Sequence, residues 1–210
     1  MSVMDRSETT RRVLCLATEA LVAENGLASL TLRKVAQAAG QKNIAAVSYH
    51  FGTIEMLLRA IVDLRLGDSE DMRQRWIAQA GGDVSRLDAF GVWRCLAWPL
   101  LSLPDEQAPH AHVRFLTQMS VAGLLSDPFD ASIERPGAPT VALLLNRLHE
   151  TLGHLPHHLG RSRIALSGMM FWNAVTLHDR RALGPELSAI DLSILLEDVE
   201  ELIRRILTGP

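Results

Sequence analysis

The sequence has few cysteines and no apolar run long enough to cross a membrane. Two of its 210 residues are cysteines, Cys15 and Cys95, which fits reduced, buried thiols better than a disulfide framework. Every apolar run is shorter than a membrane span, and the polar N-terminus, MSVMDRSETTRR, has no secretory segment. We therefore expect a cytoplasmic protein that does not associate with membranes.

The sequence also lacks the motifs of common enzymes. It has no G-x-S-x-G elbow, no phosphate-binding P-loop and no dinucleotide-binding fingerprint. Its Asp–Glu pairs are typical of solvated helix faces. We therefore predict no catalytic residue, no cofactor, no metal site and no enzymatic activity.

The alternation of apolar and polar residues that is typical of β-strands is absent, whereas apolar residues recur at helical spacing throughout the sequence. The composition, 48% hydrophobic and 21% charged, is that of a globular protein. Gly and Pro separate the helical segments after Asp68. The sequence predicts an all-α fold, with later helices at about 69–79, 84–102, 110–125, 138–154, 158–181 and 188–207.

The stretch from Ser29 to Leu58 predicts two short helices, a tight turn between them and a third helix. The first short helix begins at an N-cap, Thr31, and buries a face made by Leu32, Val35 and Ala36. Gly40 permits the sharp turn that ends it. The second runs from about Asn43 to His50, with a core-facing stripe made by Ile44, Val47 and Phe51. A longer helix, from about Glu8 to Asn25, is predicted to pack behind the pair.

This layout is a helix-turn-helix, in which a short polar helix can enter a DNA major groove. Small and hydrogen-bonding side chains predominate on its outer face, as base and phosphate contacts require. We expect the DNA backbone to be fixed by Thr31, Arg33, Lys42, Tyr49 and His50. We expect bases to be read or approached by Gln41, Asn43, Ala45, Ala46 and Ser48. An ordinary helical hairpin with a solvated polar face is the alternative.

The charge distribution agrees with a DNA-binding N-terminus, although the whole chain has a net charge of −3. Residues 1–66 hold eight Lys or Arg against six Asp or Glu, a net of +2, and the remainder has a net of −5. Arg6, Arg11 and Arg12 could touch the DNA backbone from the N-terminal arm, or they could be solvated. The asymmetry is modest and does not establish DNA binding alone.

Residues from about Arg11 to Ile61 resemble the N-terminal DNA-binding domain of TetR-type (TetR/AcrR) transcriptional regulators. The resemblance is carried by VLCLATEALVAENGLASLTLRKVAQAAG, then AAVSYHFG, then EMLLRAIV. It implies residues 1–66 as a helix-turn-helix domain, with helix 4 (about 53–66) as linker, and residues 67–210 as an effector-binding and dimerisation domain. It also implies a regulator, more often a repressor, that binds a palindromic operator as a homodimer.

Two features depart from the family pattern. The stretch between Gly40 and Phe51 is one residue longer than the commonest spacing and resembles the subset N-x-x-A-V-x-Y-H-F-G. Thr53-Ile54-Glu55 stands where many members have Ser-Lys-Glu. Ile54 therefore cannot supply the phosphate contact of the family lysine.

The C-terminal part is rich in Trp, Phe and Met, which either fill a core or line an apolar ligand pocket. The resemblance implies a pocket for a small apolar or aromatic effector. Our candidates for its lining are Trp93, Trp98, Phe115, Met119, Met169 and Trp172. A packed core without a cavity would instead indicate an obligate dimeric protein that has no effector.

The last two helices, about 158–181 and 188–207, carry more apolar surface than one chain needs to bury. A second copy of the chain would cover it in a two-fold, four-helix interface. The partners expected are therefore double-stranded DNA, a second protomer and a small effector. A fully intramolecular bundle is the alternative.

Eight histidines are present, and four of them crowd one stretch: His149, His154, His157 and His158. Their spacing is not the i, i+4 pattern that metal sites favour, and Pro156 interrupts the helix. The alternative function, a helical metal-binding protein or enzyme, would use this cluster. His110 and His112 lie in a Pro-rich segment and are predicted to be solvated.

Overall fold

The chain is helical throughout the part that can be described. The structure is a computed structural model and describes residues 3–104, 109–124, 135–181, 184–186 and 189–209. Within these ranges ten α-helices and two 3-10 turns occur, and no strand. The predicted all-α fold class is confirmed. No helix of the same ranges is long and apolar enough to cross a membrane.

Four helices form the N-terminal part: α1 (Val3–Asn25), α2 (Leu32–Ala38), α3 (Ala45–Phe51) and α4 (Ile54–Asp68), with a 3-10 turn at Leu27–Ser29. Helix α1 begins at Val3 and not near Glu8 as predicted. Residues 3–8 include no Gly or Pro, so no residue of low helix propensity interrupts the helix before its apolar face begins.

Six helices follow: α5 (Glu70–Gln79), α6 (Ala89–Leu101), α7 (Ala111–Val121), α8 (Pro139–Thr151), α9 (His157–Asp179) and α10 (Leu192–Thr208). The helix predicted at 84–102 is divided into a 3-10 turn at Val84–Arg86 and α6. Asp88 causes the division, because its Oδ1 accepts from the backbone N–H of Gly91 at 2.7 Å and caps α6. Position 188, where the last helix was predicted to begin, lies outside the described residues.

Helix α1 connects the two parts of the chain, because it packs on α2, α4 and α7. Helix α9 packs on α7 and α10, and α6 packs on α5, α8 and α10. Apolar side chains on α1 and α4, including Leu14, Val22, Leu57 and Ile61, are fully buried. The helix-turn-helix is therefore supported on helices that also contact the C-terminal part.

An aromatic cluster occupies the core between α5, α6 and α9. Trp76 stacks on Trp98 with ring centroids 5.8 Å apart, and Trp98 meets Phe171 edge-on at 5.7 Å. Trp93 also meets Phe171 edge-on, at 5.2 Å. Several of the aromatic side chains that were predicted to line a pocket therefore pack in the core.

The two cysteines are buried and unlinked, as predicted. Burial raises the pKa of the Cys15 thiol to about 12. The reactive thiolate is therefore scarce at neutral pH.

Candidate DNA-binding surface and central cavity

Helix α2 begins where the sequence predicts. The backbone N–H of Lys34 donates to Thr31 Oγ1 at 3.3 Å, so Thr31 is the N-cap. Val35 and Ala36 are buried, as the apolar spacing predicts. These contacts fix α2 against the body and leave Thr31 and Arg33 exposed.

The turn between α2 and α3 is longer than predicted, because α3 begins at Ala45 and not near Asn43. Asn43 Oδ1 accepts from the backbone N–H of Ala45 at 2.9 Å. An Asn side chain that bonds the nearby backbone favours a turn over a helix interior. Gln41, Lys42 and Asn43 therefore lie in the turn. Ile44 is 46% exposed, so its predicted place in the core-facing stripe is wrong.

Helix α3 separates a buried side from an outer side. Val47 and Phe51 are buried, in agreement with the rest of the predicted stripe. On the outer side Tyr49 is 83% exposed, and Ala45 and Ser48 are also exposed. A large aromatic side chain with so little contact is available to another molecule.

The structure places all ten predicted DNA-contacting residues on the surface of α2, the turn or α3. Seven are exposed and three are partly buried, namely Gln41, Ala46 and His50. They are brought together on one short segment of the chain. Their contact with DNA remains a prediction.

Arg11, which lies on α1, contacts the C-terminal end of α3. Its Nη1 donates to the backbone carbonyl of His50 at 2.7 Å, and its guanidinium lies 4.4 Å from the centre of the Phe51 ring. Arg12 forms a bidentate pair with Asp68 of α4, at 2.8 and 2.9 Å. Both arginines make contacts within the chain, and sequence reasoning missed these roles because the partners lie 39 and 56 residues away.

A buried charge network joins the N-terminal helices to α7. Glu19 of α1 accepts from Arg65 Nε of α4 at 3.0 Å, and His112 Nδ1 of α7 lies 2.6 Å from its other oxygen. Burial alone would raise the pKa of Glu19, but His112 and Arg65 outweigh it and lower the pKa below the usual range. Glu19 is therefore an ionised carboxylate with two partners.

The prediction that His110 and His112 are solvated is wrong. His112 lies within α7 and is 1% exposed. His110 precedes α7, and its Nδ1 lies 3.0 Å from Asp179 of α9. A Pro-rich neighbourhood is visible in the sequence, but their partners Asp179 and Glu19 are 69 and 93 residues away along the chain.

A cavity of about 60 Å³ lies among α4, α6, α7, α8 and α9. Val62 and Leu66 of α4 form part of its wall, together with His112 of α7. Of the six predicted pocket residues, Trp93 and Trp172 line this cavity, whereas Trp98, Phe115, Met119 and Met169 do not. The cavity thus touches the linker helix of the predicted DNA-binding domain.

The remaining predicted pocket residues have other surroundings. Trp98 Nε1 donates to Glu200 Oε1 at 2.6 Å, which joins α6 to α10. Phe115 stacks on the His112 ring at 6.0 Å, and Met119 is buried. Met169 is partly buried on α9. Effector binding by any of the six remains a prediction.

Of the four clustered histidines, His149 lies near the end of α8, His154 lies in the following turn, and His157 and His158 begin α9. The His149 and His157 rings face each other with centroids 6.4 Å apart. Among the residues that the structure describes, no group of three or more His, Cys, Asp or Glu is arranged to hold a metal ion.

Helices α9 and α10 expose apolar side chains on their outer faces. On α9 the exposed leucines recur at helical spacing, at Leu159, Leu166 and Leu177, with Leu166 54% exposed. On α10 Ile194 is 59% exposed and Leu202 is also exposed. Single exposed apolar residues are common, but a recurrence on two packed helices favours an interface.

Comparison with known proteins gives a limited result. No protein-family model matches the chain, and no curated protein matches it. Among solved structures, it is similar to SCO7518 of Streptomyces coelicolor A3(2), described as a candidate transcriptional regulator, with 21% identity, a TM-score of 0.47 and coverage of 95% of this chain and 99% of that one. It is also similar to the multidrug binding protein EbrR in complex with imidazole, with 20% identity, a TM-score of 0.45 and coverage of 95% and 96%. These values are too low for an inference about family or function.

Proposed function

We propose that the protein is a cytoplasmic, homodimeric transcriptional regulator of the TetR type, a repressor that binds a palindromic operator and is released by a small apolar effector. The observation that carries the proposal is the outer side of α3. This seven-residue helix buries Val47 and Phe51 and presents Ala45, Ser48 and Tyr49 to solvent. Such a helix fits a major groove, in which small side chains permit close approach.

The turn and the helix would divide the contacts between bases and phosphates. Lys42, in the turn, would approach the phosphate backbone, and Tyr49 would donate its hydroxyl to a phosphate oxygen. Ala45 and Ser48 would face base edges. Asn43 has a second role here, because its Oδ1 accepts from the backbone N–H of Ala45, the first residue of α3, so only its amide nitrogen is left for a base.

Dimerisation would use the exposed apolar faces of α9 and α10. A two-fold interface covers the same surface on both protomers. It would also place two copies of α3 on the same side of the dimer, as the half-sites of a palindrome require.

An effector would cause release of the operator by binding in the central cavity. Val62 and Leu66 of α4 line it, and α4 follows α3 directly in the chain. An occupant that favours one position of α4 over another would change the distance between the two α3 helices. We propose residues 1–66 as the DNA-binding domain and 67–210 as the effector and dimerisation domain.

No observation favours the alternative, a metal-binding protein or enzyme based on the cluster from His149 to His158. The rings of His149 and His157 are close, but the described residues around them offer no third metal ligand. A protein with no effector is less well supported, because a cavity is present at α4.

Lys42→Ala tests the DNA-binding proposal at the turn. We expect weaker binding to every DNA fragment and a decrease of about one in the slope of log K against log salt, since one phosphate contact is lost. Arg75→Ala is the charge-matched control, because Arg75 is exposed on α5 away from the proposed surface. Fluorescence anisotropy at several salt concentrations measures both. Equal slopes for the two variants would contradict the proposal.

A further inference from the structure

The corner between α4 and α5, from Leu66 to Arg73, is held by side chains. The Leu66 carbonyl, near the end of α4, accepts from both terminal nitrogens of Arg73, each at 3.3 Å. Ser69, the residue between the two helices, donates its hydroxyl to the same carbonyl at 3.0 Å. A side chain that bonds a carbonyl of the helix ladder is a cause of helix bends. The angle between α4 and α5 therefore depends on these side-chain bonds.

Arg73 is buried in this corner at a cost in stability. It is 0% exposed and pairs with Glu70, with Nη1 2.5 Å from Oε2. Its Nε has no hydrogen-bond partner among the described residues. An apolar side chain would fill the same space without an unpaired N–H or a desolvated charge. Packing alone therefore does not account for Arg73, whereas its bonds join the end of α4 to Glu70.

Glu70 in turn joins the corner to the start of α8. Thr140, in the first turn of α8, donates its backbone N–H to Glu70 Oε1 at 3.3 Å and its hydroxyl to Oε2 at 2.8 Å. Ala138, the residue at the N-cap of α8, makes no side-chain cap of its own. A carboxylate satisfies free N–H groups at a helix N-terminus and is favoured there by the helix dipole. Glu70 therefore caps α8 while it holds Arg73.

The segment before α8 also contacts α4 directly. A Cβ at Gly67 of α4 would lie 3.4 Å from the carbonyl oxygen of Gly137, so the two backbones approach closely. Arg135 Nε lies 3.6 Å from Asp63 Oδ1 of α4. The start of α8 is thus connected to the end of α4 on both sides of the corner.

The two connected helices also form walls of the central cavity. Val62 and Leu66 line it from α4, and Val141 and Leu145 line it from α8. Thr140 directly precedes Val141, and Leu66 carries the carbonyl that Arg73 bonds. The bonds of the corner therefore begin and end at the edge of the cavity wall.

We propose that Glu70 and Arg73 make the α4–α5 corner a relay, through which a shift of α8 at the central cavity changes the position of α4. A shift of α8 moves Glu70, Glu70 moves Arg73, and Arg73 moves the end of α4. Helix α3 precedes α4 in the chain, so the change reaches the proposed reading helix. As the route of an effector response the relay rests on the proposed function, but as a mechanical link between α8 and α4 it does not.

Leu145→Ala changes the cavity wall on α8 without any ligand, and methyl NMR of the full-length protein measures the consequence at two isoleucines. Ile164 of α9 lines the cavity and reports on the change itself. Ile61 is fully buried on α4 outside the cavity wall and reports on its arrival there. We expect Leu145→Ala to shift the δ1-methyl resonances of both isoleucines. The absence of a shift at Ile61 would overturn the proposal.

Thr140→Val removes the shorter of the two bonds to Glu70 and nearly keeps the side-chain shape. In this background we expect Leu145→Ala to shift Ile164 as before and to lose its effect at Ile61. A role of Thr140 in stability alone would leave both shifts in place. An Ile61 shift that survives Thr140→Val would overturn the relay. A loss of the Ile164 shift would overturn it too, because Thr140 would then shape the cavity itself.

Thr151→Val is the matched control. Thr151 is also partly buried on α8, but its hydroxyl donates to the Leu148 carbonyl of the same helix at 2.9 Å. In this background both shifts should be retained. If Leu145→Ala does not fold, Leu145→Met changes the shape of the wall at nearly constant volume, and the same comparisons decide.

DNA binding separates this inference from the proposed function, because the NMR measurements need neither operator nor effector. A protein whose Ile61 shift depends on Thr140 but that binds no specific DNA would keep the relay and contradict the proposed function. A protein that binds a specific operator but whose Ile61 shift does not depend on Thr140 would do the reverse.

Discussion

At the scale of single residues, Glu19 accepts hydrogen bonds from both Arg65 and His112 in a site closed to water. Three helices meet at this carboxylate. Removing one partner of a buried pair leaves the other charge without compensation, which costs more than the pair itself contributes. Single residues here therefore determine how firmly α1, α4 and α7 are joined.

Glu19→Gln should lower the free energy of unfolding by about 3 to 5 kcal/mol, because the buried Arg65 would lose its closest carboxylate and keep the longer pairing with Asp68 at 3.6 Å. The folded-state pKa of Glu19 is lowered, so its stabilisation is fully present above the usual value of 4.5 and is lost as the pH falls through the lowered pKa. Urea unfolding at neutral and acid pH measures both effects. Glu24→Gln, an exposed change on the same helix, is the control. A similar loss in both variants would contradict the role of Glu19.

Arg11→Lys distinguishes a positioning role for Arg11 from a phosphate contact. A lysine keeps the charge but loses the planar group that lies on Phe51 and donates to His50. We expect faster amide hydrogen exchange in α3 and a loss of about 1 kcal/mol of stability. Unchanged exchange, with DNA affinity also unchanged, would show that charge alone matters at this position.

At the scale of elements, the turn between α2 and α3 orients the proposed reading helix. Gly40 has φ of 65°, and Gln41 N donates to the Ala36 carbonyl at 2.8 Å. Asn43 then caps α3. A left-handed residue at the end of α2 is therefore required for the chain to enter α3 at this angle.

Gly40→Ala should cost about 1 to 2 kcal/mol of stability, because an L-residue with a Cβ disfavours the left-handed region. A Cβ at this position would meet no atom within 4 Å, so the cost is backbone strain without a clash. Gly40→Asn is the matched comparison and should cost less, since Asn tolerates this conformation. Thermal unfolding measures both, and an equal cost for Ala and Asn would show that strain is not the cause.

The sequence predicted the elements whose signals are local. Capping preferences within a few residues predict Thr31 as the N-cap of α2. Apolar spacing over the same short range predicts that Val35, Val47 and Phe51 are buried. The start of α3 was misplaced because Asn43 fits both a helix and a turn, and its side chain bonds the backbone N–H of Ala45 in the turn. His112 was misjudged because its partner Glu19 lies 93 residues away, and no local pattern reports such a distance.

Contacts between residues distant along the chain also explain why only two of the six predicted pocket residues line the cavity. Trp93 and Trp172 line it, but composition cannot show that Trp98 stacks on Trp76 instead. Large aromatic side chains carry the same sequence signal in a core and in a pocket. The division is made by helix packing, which depends on the whole chain.

At the scale of the whole molecule, the outer faces of α9 and α10 leave apolar surface that a second protomer would cover. Leu166 and Ile194 are more than half exposed. A dimer of this kind would carry two α3 helices, and reading two half-sites multiplies the affinity for a palindrome.

Leu166→Glu should convert the proposed dimer to a monomer, because a charge on the exposed apolar face of α9 would have to be buried when a second protomer covers that face. Operator affinity should fall by about a hundredfold as the second half-site contact is lost. Val121→Glu, at a 71% exposed position on α7, is the control and should remain dimeric. Analytical ultracentrifugation measures the assembly. A monomeric wild-type protein would contradict the dimer proposal outright.

The most direct test of the central claim is a footprint of the full-length protein on DNA fragments selected from its own genome. The account predicts binding to few fragments in excess nonspecific DNA, a steep loss of affinity with salt, and two protected major-groove half-sites roughly 34 to 36 Å apart or a multiple of that distance. Tyr49→Ala should weaken both half-sites equally. Uniform protection without half-sites, or no selected fragment at all, would contradict a sequence-specific dimeric regulator.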